Sequence, residues 1–322
     1  EGFAILQSNF PEKFDAILPY VDKETDPVAY GNYVKLPGVW VLIGGMWIAH
    51  FYYWGTNQYI TQRALGGKSL DEAQKGLMFA GFLKIFMPIV VVLPGLIAVA
   101  LEGNVIESLG GDRSKAYPSM LSLLPNGILG LTFAALVAAI VSSLASLTNS
   151  LSTIFTMDIY KNYTKVKDTE LVNVGRFAGT SGLILSIIVA PIFLGSLDSA
   201  FQYVQEYMGL FSPVILFVFL SAIFFKKSSS KSVLAGSLVA LVVGVIMKLY
   251  VAQTDQSLIE PFMHQMAISF GFAFLVSFAL SDKSDNAKVF KLTYKDFKTS
   301  KLFNYGSLTI LLILLGIYGY YW

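Results

Sequence analysis

The sequence is poor in charge and contains no cysteine. Of its 322 residues, 14% are charged and 55% are hydrophobic, whereas soluble domains carry about a quarter charged residues. The absence of cysteine excludes disulfides and thiolate metal sites. A net charge of +2 gives no indication of a nucleic-acid partner. With only two histidines, no GxSxG run and no pair of catalytic acids, the sequence favours a membrane protein that is not an enzyme.

Apolar segments long enough to cross a bilayer recur along the chain. We predict eight spans, which cover residues 38–63, 76–101, 127–160, 171–194, 199–225, 232–252, 261–281 and 303–321. The third is longer than a bare span requires, so part of it is expected to tilt or project. Gly209 and Pro213 predict a kink in the fifth. The fold class is therefore an all-α polytopic membrane protein with about eight transmembrane helices.

Residues 1–37 are polar and contain four prolines, which break any long helix. We interpret them as an extracellular loop with a short helix near residues 11–18. The chain opens on Glu1 without a basic and apolar leader, so we expect it to begin partway through a longer protein.

The distribution of lysine and arginine predicts the orientation. Eight spans place alternate loops on the same side of the membrane, and one set of loops carries sixteen basic residues while the other carries five. The positive-inside rule puts the first set, including a loop near 282–302, in the cytoplasm of a protein of the cell inner (plasma) membrane. Lys84 and Lys248 lie inside spans, and Lys248 is close enough to an outer end to snorkel.

The third span has one small, polar face centred on Ser142. Ala139, Ser143, Ser146 and Asn149 share that face, and bulky aliphatic residues occupy the other. Small residues and hydroxyls are typical of close helix packing, in which the hydroxyls bond backbone carbonyls. Adjacent hydroxyls of Ser142 and Ser143 and a carbonyl of Ala139 also suit a sodium ion, which prefers oxygen ligands. Spacing leaves both interpretations open.

Several polar side chains lie deep in other spans. His50 and Tyr53 share a face with Asn57 in the first span, where Gly44, Gly45 and Gly55 indicate that the helix is interrupted. The alternative for His50 is a structural hydrogen bond to a neighbouring helix.

Lys84 lies about two turns inside the second span, where a charge usually faces a cavity, although snorkelling toward the cytoplasm is the alternative. Gln202, Gln205 and Glu206 in the fifth span either bond a neighbouring helix or line a cavity. Imidazole, ammonium, amide and tyrosine groups suit a neutral polyhydroxyl ligand, and no arginine lies deep in a span to bind an acid.

The runs YYWGTNQYITQRAL, SLDEAQKGLMFAGFLK, AAIVSSLASLTNSLSTIFTMDIYK and AFQYVQEYMGL resemble the sodium:solute symporter family. Within it the chain is similar to the sugar-transporting branch, which includes bacterial sodium/galactose symporters. The resemblance implies a LeuT-type fold of two inverted five-helix repeats. Residues 38–225 would form the second repeat, and residues 226–322 three additional helices. The first repeat, which supplies half of each site, would lie outside this chain.

The resemblance also implies residue roles. Tyr53 corresponds to the inner gate that stacks on the sugar, Lys84 and Gln205 correspond to residues that bond sugar hydroxyls, and Ala139, Ser142 and Ser143 correspond to the sodium site. His50 departs from the family, which has asparagine or threonine there, and this leaves the identity of the sugar in doubt.

The expected activity is symport of a galactose- or glucose-like hexose coupled to Na+. Symport of inositol or another small solute, and a non-transporting sugar sensor, are the alternatives. The expected partners are the sugar, the sodium ion and the lipid bilayer, and a homodimer is left open.

Overall fold

The computed structural model describes residues 2–36, 38–101, 115–164, 167–194, 200–254, 259–281, 293 and 297–321. Throughout these ranges the regular structure is helical, and no strand occurs among them. The predicted cytoplasmic loop near 282–302 lies largely outside the described residues.

Clustering of backbone contacts divides the chain into two compact units. Unit 1 comprises Glu1–Asn57, Gly67–Ile85 and Phe201–Trp322, and unit 2 comprises Gln58–Gly66 and Phe86–Ala200. The helices of unit 1 are α1 (Gly2–Asn9), α2 (Pro27–Lys35), α3 (Gly38–Ile43), α4 (Met46–Phe51), α6 (Leu70–Lys84), α12 (Ala200–Phe224), α13 (Ser230–Val251), α14 (Phe262–Ala279) and α15 (Lys301–Tyr320). Those of unit 2 are α5 (Gln58–Leu65), α7 (Met87–Ala100), α8 (Ala116–Leu121), α9 (Asn126–Thr153), α10 (Lys161–Tyr163) and α11 (Asp168–Leu194). Two π-helical segments, Tyr52–Thr56 and Ile154–Tyr160, follow α4 and α9.

The number of membrane spans agrees with the prediction. Among the described residues seven helical stretches are long and apolar enough to cross a membrane, and a bent pair of helices makes an eighth. The third stretch runs from Asn126 to Tyr163, which is 38 residues and confirms that it exceeds a bare span. The chain is a multi-pass membrane protein. α12 continues through Pro213, and the kink expected there stays a prediction.

The N-terminal segment contains more helix than its prolines suggested. α1 and α2 were not predicted, and the short helix expected near residues 11–18 is only the 3-10 turn Pro11–Lys13. Pro27 does not break α2 but begins it, because the first helical residue needs no amide hydrogen. The Asp26 carboxylate accepts hydrogen bonds from the amides of Val28 and Ala29, both at 3.0 Å, and so caps the helix.

The first span is interrupted, as its glycines predicted. Pro27–Ile43 and Met46–Thr56 meet at an angle of 85°. A Cβ at Gly45 would collide with the carbonyl oxygen of Met263, so only glycine lets α4 pack this closely on α14. The prediction that Asn57 continues the helical face of His50 is wrong, because Asn57 has an extended backbone with φ −78° and ψ 113°.

The core of unit 1 lies among α4, α12, α13 and α14. Ile48, Leu216, Phe217, Met266 and Phe270 are almost fully buried and contact one another there. Small residues on α13 and α14 let these two helices approach closely, and the buried hydroxyls of Ser232 and Ser277 lie 3.4 Å apart between them.

Unit 2 is built around the pair α9 and α11. The hydroxyl of Ser152 on α9 donates a 2.8 Å hydrogen bond to the carbonyl of Gly175 on α11. Gly179 and Gly182 also face α9, against Thr148 and Leu151. This contact leaves a different face of α9, the one that carries Ser146 and Asn149, to meet the short helix α5.

Candidate functional site

Tyr53 lies in a widened helical turn. The Tyr52 carbonyl accepts hydrogen bonds from the amide of Asn57, five residues on, at 3.0 Å and from the hydroxyl of Thr56 at 2.9 Å. A bond across five residues defines a π-helical turn, and such turns occur frequently at functional sites. The local sequence therefore gives Tyr53 a backbone setting that differs from the regular helix of α4.

Lys84 is brought to the same turn. Its Nζ atom lies 4.3 Å from the ring centroid of Trp54, and the rings of Tyr53 and Trp54 are 5.2 Å apart in an edge-to-face arrangement. α6 ends at Lys84, where the free carbonyls of a helix C-terminus favour a cation. The ammonium therefore lies over an aromatic ring at a helix end, and the choice between a cavity and snorkelling stays a prediction.

His50 is exposed on α4, two residues before the π-helical segment. Tyr53 and Lys84 both contact Trp54, and His50 precedes Tyr53 by three residues in unit 1. We treat His50, Tyr53 and Lys84 as one candidate polar and aromatic group. We name this group, together with Trp54, the aromatic–lysine cluster. Trp54 was not singled out from the sequence, although its position next to Tyr53 was the available signal.

Gln205 is not joined to this cluster by a hydrogen bond in the part of the chain that the structure describes. It is half-buried on α12. The neighbouring Gln202 donates a 3.1 Å hydrogen bond from Nε2 to Glu206 Oε1. The predicted role of Gln205 at a sugar stays a prediction.

Lys248 contacts other side chains of unit 1. Its Nζ atom lies 3.2 Å from Glu206 Oε2 and 4.3 Å from the ring centroid of Tyr207. Glu206 was the one acid in a span that could have bound a cationic ligand. Its carboxylate is instead paired with the ammonium of Lys248.

Three hydroxyls of α9 bond the backbone of their own helix. Thr132, Ser146 and Thr153 each donate to the carbonyl four residues earlier, at 2.8–3.0 Å, as the packing interpretation of the serine face requires. Ser142 and Ser143 do not do so, and their hydroxyls have no hydrogen-bond partner among the described residues. Both residues are exposed. Two adjacent hydroxyls without a backbone partner can turn their oxygens toward a cation.

The Ala139 carbonyl lies one turn before these serines. Inside an α-helix it accepts the amide of Ser143, which uses one of its two lone pairs. Since neither serine hydroxyl occupies the second lone pair, that carbonyl keeps an acceptor site for an ion. The structure places Ala139, Ser142 and Ser143 on one exposed stretch of α9, and we name this stretch the hydroxyl site.

Polar contacts between α5 and α9 were not foreseen from the sequence. Arg63 Nη2 donates to Ser146 Oγ at 2.6 Å. Gln62 Nε2 donates to the Ser146 carbonyl at 3.3 Å, and Asn149 Nδ2 donates to Gln62 Oε1 at 2.9 Å. Arg63 was counted only as a basic residue of a cytoplasmic loop. The polar face of α9 was the signal that a partner helix with donors would meet it.

Most of the chain is similar to known proteins. A family model described as "Sodium:solute symporter family" matches residues 7–269. The sodium/glucose cotransporter of Vibrio parahaemolyticus is 44% identical over 309 residues, which is 90% of this chain and 56% of that protein.

Two animal relatives are more distant. The mouse sodium/myo-inositol cotransporter 2 is 32% identical over 262 residues, which is 76% of this chain and 38% of that protein. The zebrafish sodium/glucose cotransporter 4 is 35% identical over 236 residues, which is 69% of this chain and 35% of that protein. The chain spans about half, or less, of the length of these relatives.

Proposed function

Since the chain belongs to the sodium:solute symporter family, we propose that it is part of a symporter that couples the uptake of a hexose to the entry of sodium by alternating access. In this proposal residues 38–225 form the second repeat of a LeuT-type fold, and residues 226–322 supply three additional helices. The loops that carry the sixteen basic residues face the cytoplasm.

One observation carries the sodium half of the proposal. Ser142 and Ser143 are adjacent and exposed, and they lack the backbone hydrogen bonds that Thr132, Ser146 and Thr153 of α9 make. A polar hydroxyl in a membrane helix that leaves its own carbonyls unbonded needs another partner. An alkali cation is such a partner, because it takes neutral oxygen ligands. The Ala139 carbonyl completes the part of the site that this chain supplies.

The aromatic–lysine cluster supports the sugar half. Lys84 and His50 offer donors to hydroxyl groups, and Tyr53 offers an aromatic ring that can stack on the apolar face of a pyranose. The Vibrio relative is named as a glucose cotransporter. The proposed ligand is therefore a galactose- or glucose-like hexose, with Gln205 as a further hydrogen-bonding residue and Tyr53 as the gate toward the cytoplasm.

The energy for uphill uptake comes from sodium. Each sodium ion that moves down a membrane potential provides about 2.3 kcal/mol per 100 mV. That amount corresponds to a sugar gradient of about 50-fold. A neutral sugar adds no charge of its own, so the potential acts through the ion alone.

Uptake of labelled glucose and galactose into liposomes that contain the full-length protein tests this function. We expect uptake with sodium outside and little uptake when potassium or choline replaces it. Equal uptake in sodium and potassium would contradict the proposal. Liposomes without protein give the background.

Inositol is the second candidate, because relatives at 32% identity are named as myo-inositol cotransporters. A competition panel separates the two. If glucose is the substrate, unlabelled glucose displaces the labelled sugar at a lower concentration than myo-inositol does, and the reverse order identifies the polyol. His50→Asn in the same panel shows whether the imidazole contributes to this choice.

A further inference from the structure

The contact between α5 and α9 places a cation immediately beyond the proposed sodium ligands. Ser146 lies one helical turn, about 5.4–6 Å along the axis, on the cytoplasmic side of Ser142 in the proposed orientation. Arg63 Nη2 reaches Ser146 Oγ at 2.6 Å, a short distance that is typical of a charge-assisted hydrogen bond.

The hydrogen bonds form a directed chain. Ser146 has a single hydroxyl hydrogen, and when its oxygen accepts from Arg63 that hydrogen is donated elsewhere. It is donated to the carbonyl of Ser142 at 3.0 Å. The Ser142 carbonyl also accepts the helical amide of Ser146, so both of its lone pairs are used. While these hydrogen bonds are intact, a cation can therefore bind the Ala139 carbonyl but not the Ser142 carbonyl.

The helix is interrupted immediately before α5. Asn57 interrupts the helix with an extended backbone, and α5 belongs to unit 2 although the preceding π-helical turn belongs to unit 1. Beyond Asn57, α5 is held on α9 by the polar contacts of Gln62 and Arg63. Contacts of this kind, between partly exposed groups, are weak enough to break and re-form.

We propose that Arg63 is a positioning residue for sodium. Its bond to Ser146 holds α5 across the cytoplasmic end of the sodium path, and the guanidinium repels an ion that would leave in that direction. Release of α5 removes this charge and frees the Ser146 oxygen to accept the ion, so the ion can leave stepwise along α9. This inference rests on the proposed function, because it assigns the gate of the same sodium site.

Sodium titrations of uptake by the full-length protein in liposomes test it. Arg63→Gln and Ser146→Ala each break the bond. Each is expected to raise the sodium concentration for half-maximal uptake, the apparent sodium constant, at least about three-fold. That is the scale of one partly exposed hydrogen bond to a charged group. The apparent sugar constant at saturating sodium is expected to stay within about two-fold of its starting value, because the sugar contacts are untouched. Arg63→Lys, which keeps a charged donor, is expected to restore most of the sodium affinity.

The controls use the same chemistry elsewhere. Thr132→Val removes a hydroxyl that bonds its own helix at the other end of α9, without contact to α5, and should change neither constant.

The double variant Arg63→Gln/Ser146→Ala should be no worse than either single variant, because all three remove one bond. Additive effects would show that the two residues act separately and would overturn the proposal.

A distance measurement tests the movement without relying on transport. Spin labels on Leu65→Cys of α5 and Leu147→Cys of α9, both exposed positions in a chain without native cysteine, should show a larger share of long distances in Arg63→Gln than in its parent. Unchanged distances together with an unchanged sodium constant would overturn the proposal. If uptake by the parent protein itself did not need sodium, the proposed function would fail, and the label distances would still report whether Arg63 holds α5.

Discussion

The helix cluster of unit 1 and the helix α9 of unit 2 use polar residues in opposite ways. α12 and α14 each bury six residues and α13 buries five, among them serines whose hydroxyls are inside the cluster. α9 is longer than any of them and buries only Ser150. Two buried serines of unit 1 have protein partners, Ser232 with Ser229 and Ser212 with the Met208 carbonyl, whereas the buried hydroxyl of Ser237 has none among the described residues. Ser142 and Ser143 of α9 are exposed and have none among the described residues.

This difference distinguishes structural from ligand-binding hydroxyls in similar helices. A serine that stabilises helix packing has its hydrogen bond already made. A serine that binds a cation must leave its oxygen free until the ion arrives. Both kinds look the same in a helical wheel, and the hydrogen bonds distinguish Ser142 and Ser143 from Ser146, Ser212 and Ser232.

The largest expected effect contrasts two glycines. A Cβ at Gly236 would lie 2.5 Å from the Ala273 carbonyl oxygen and 3.1 Å from the Phe217 ring, whereas a Cβ at Gly130 of α9 meets nothing within 4 Å. Gly236→Ala is expected to lower the stability of unit 1 by about 1–3 kcal/mol through overpacking. Gly130→Ala should be neutral or stabilising by up to about 1 kcal/mol, because alanine is the better helix former. Thermal unfolding in detergent measures both. Equal destabilisation would break the comparison.

A smaller effect is expected at the aromatic–lysine cluster. Lys84→Ala removes a charged donor from the proposed sugar site, and the sugar constant should rise about ten-fold, since a hydrogen bond to a charged group contributes about 1.5–3 kcal/mol. Lys75→Ala is the matched control. It removes a lysine from the same helix that is paired with Asp71 at 2.6 Å near the helix start. Sugar titrations of sodium-driven uptake measure the effect, and similar changes in both variants would contradict the assignment of Lys84.

Ser232 is the structural counterpart of Ser142. It is almost fully buried, and it exchanges hydrogen bonds of 3.0 and 3.1 Å with Ser229 in a capping box at the start of α13. Ser232→Ala should cost about 1 kcal/mol of stability, as the loss of a cap does. It should leave the apparent sodium constant unchanged. A shift in that constant without a loss of stability would show that the hydrogen-bond criterion does not separate the two kinds of serine.

The smallest effect is expected for the pair Lys248 and Glu206. Their side chains are about a third exposed, at 31% and 36%, and such a pair contributes about 0.2–1 kcal/mol. A double-mutant cycle of Lys248→Met and Glu206→Gln should give a coupling in that range that falls as salt is added. No coupling at low salt would show that the two charges do not stabilise one another.

The sequence predicted much of the fold but not the breaks in its helices. Hydropathy located the spans because an apolar stretch of that length has few other uses. It could not predict α2, where Pro27 begins a helix instead of breaking one, or the two π-helical segments, which depend on backbone bonds across five residues. The prediction that His50 and Asn57 share a helical face was wrong for this reason. Residue spacing predicts which side chains share a helical face only where the helix keeps its regular number of residues per turn.

The sequence predicted which residues belong to the candidate site, but not which side chains contact one another there. Depth in the membrane selected Lys84 and His50, and the small polar face selected Ser142 and Ser143. The contact of Lys84 with Trp54 and the bond of Arg63 to Ser146 join residues far apart in the chain. Such contacts follow from how helices pack, which neither spacing nor composition contains.

Equilibrium binding of radioactive sodium to the full-length protein tests the central claim most directly. The account predicts that Ser142→Ala/Ser143→Ala weakens sodium binding by more than about ten-fold, since two of the oxygen ligands are lost, and that Thr132→Val binds sodium as the parent protein does. If the double variant and the parent bound sodium equally, the hydroxyls of α9 would be packing groups and not ligands.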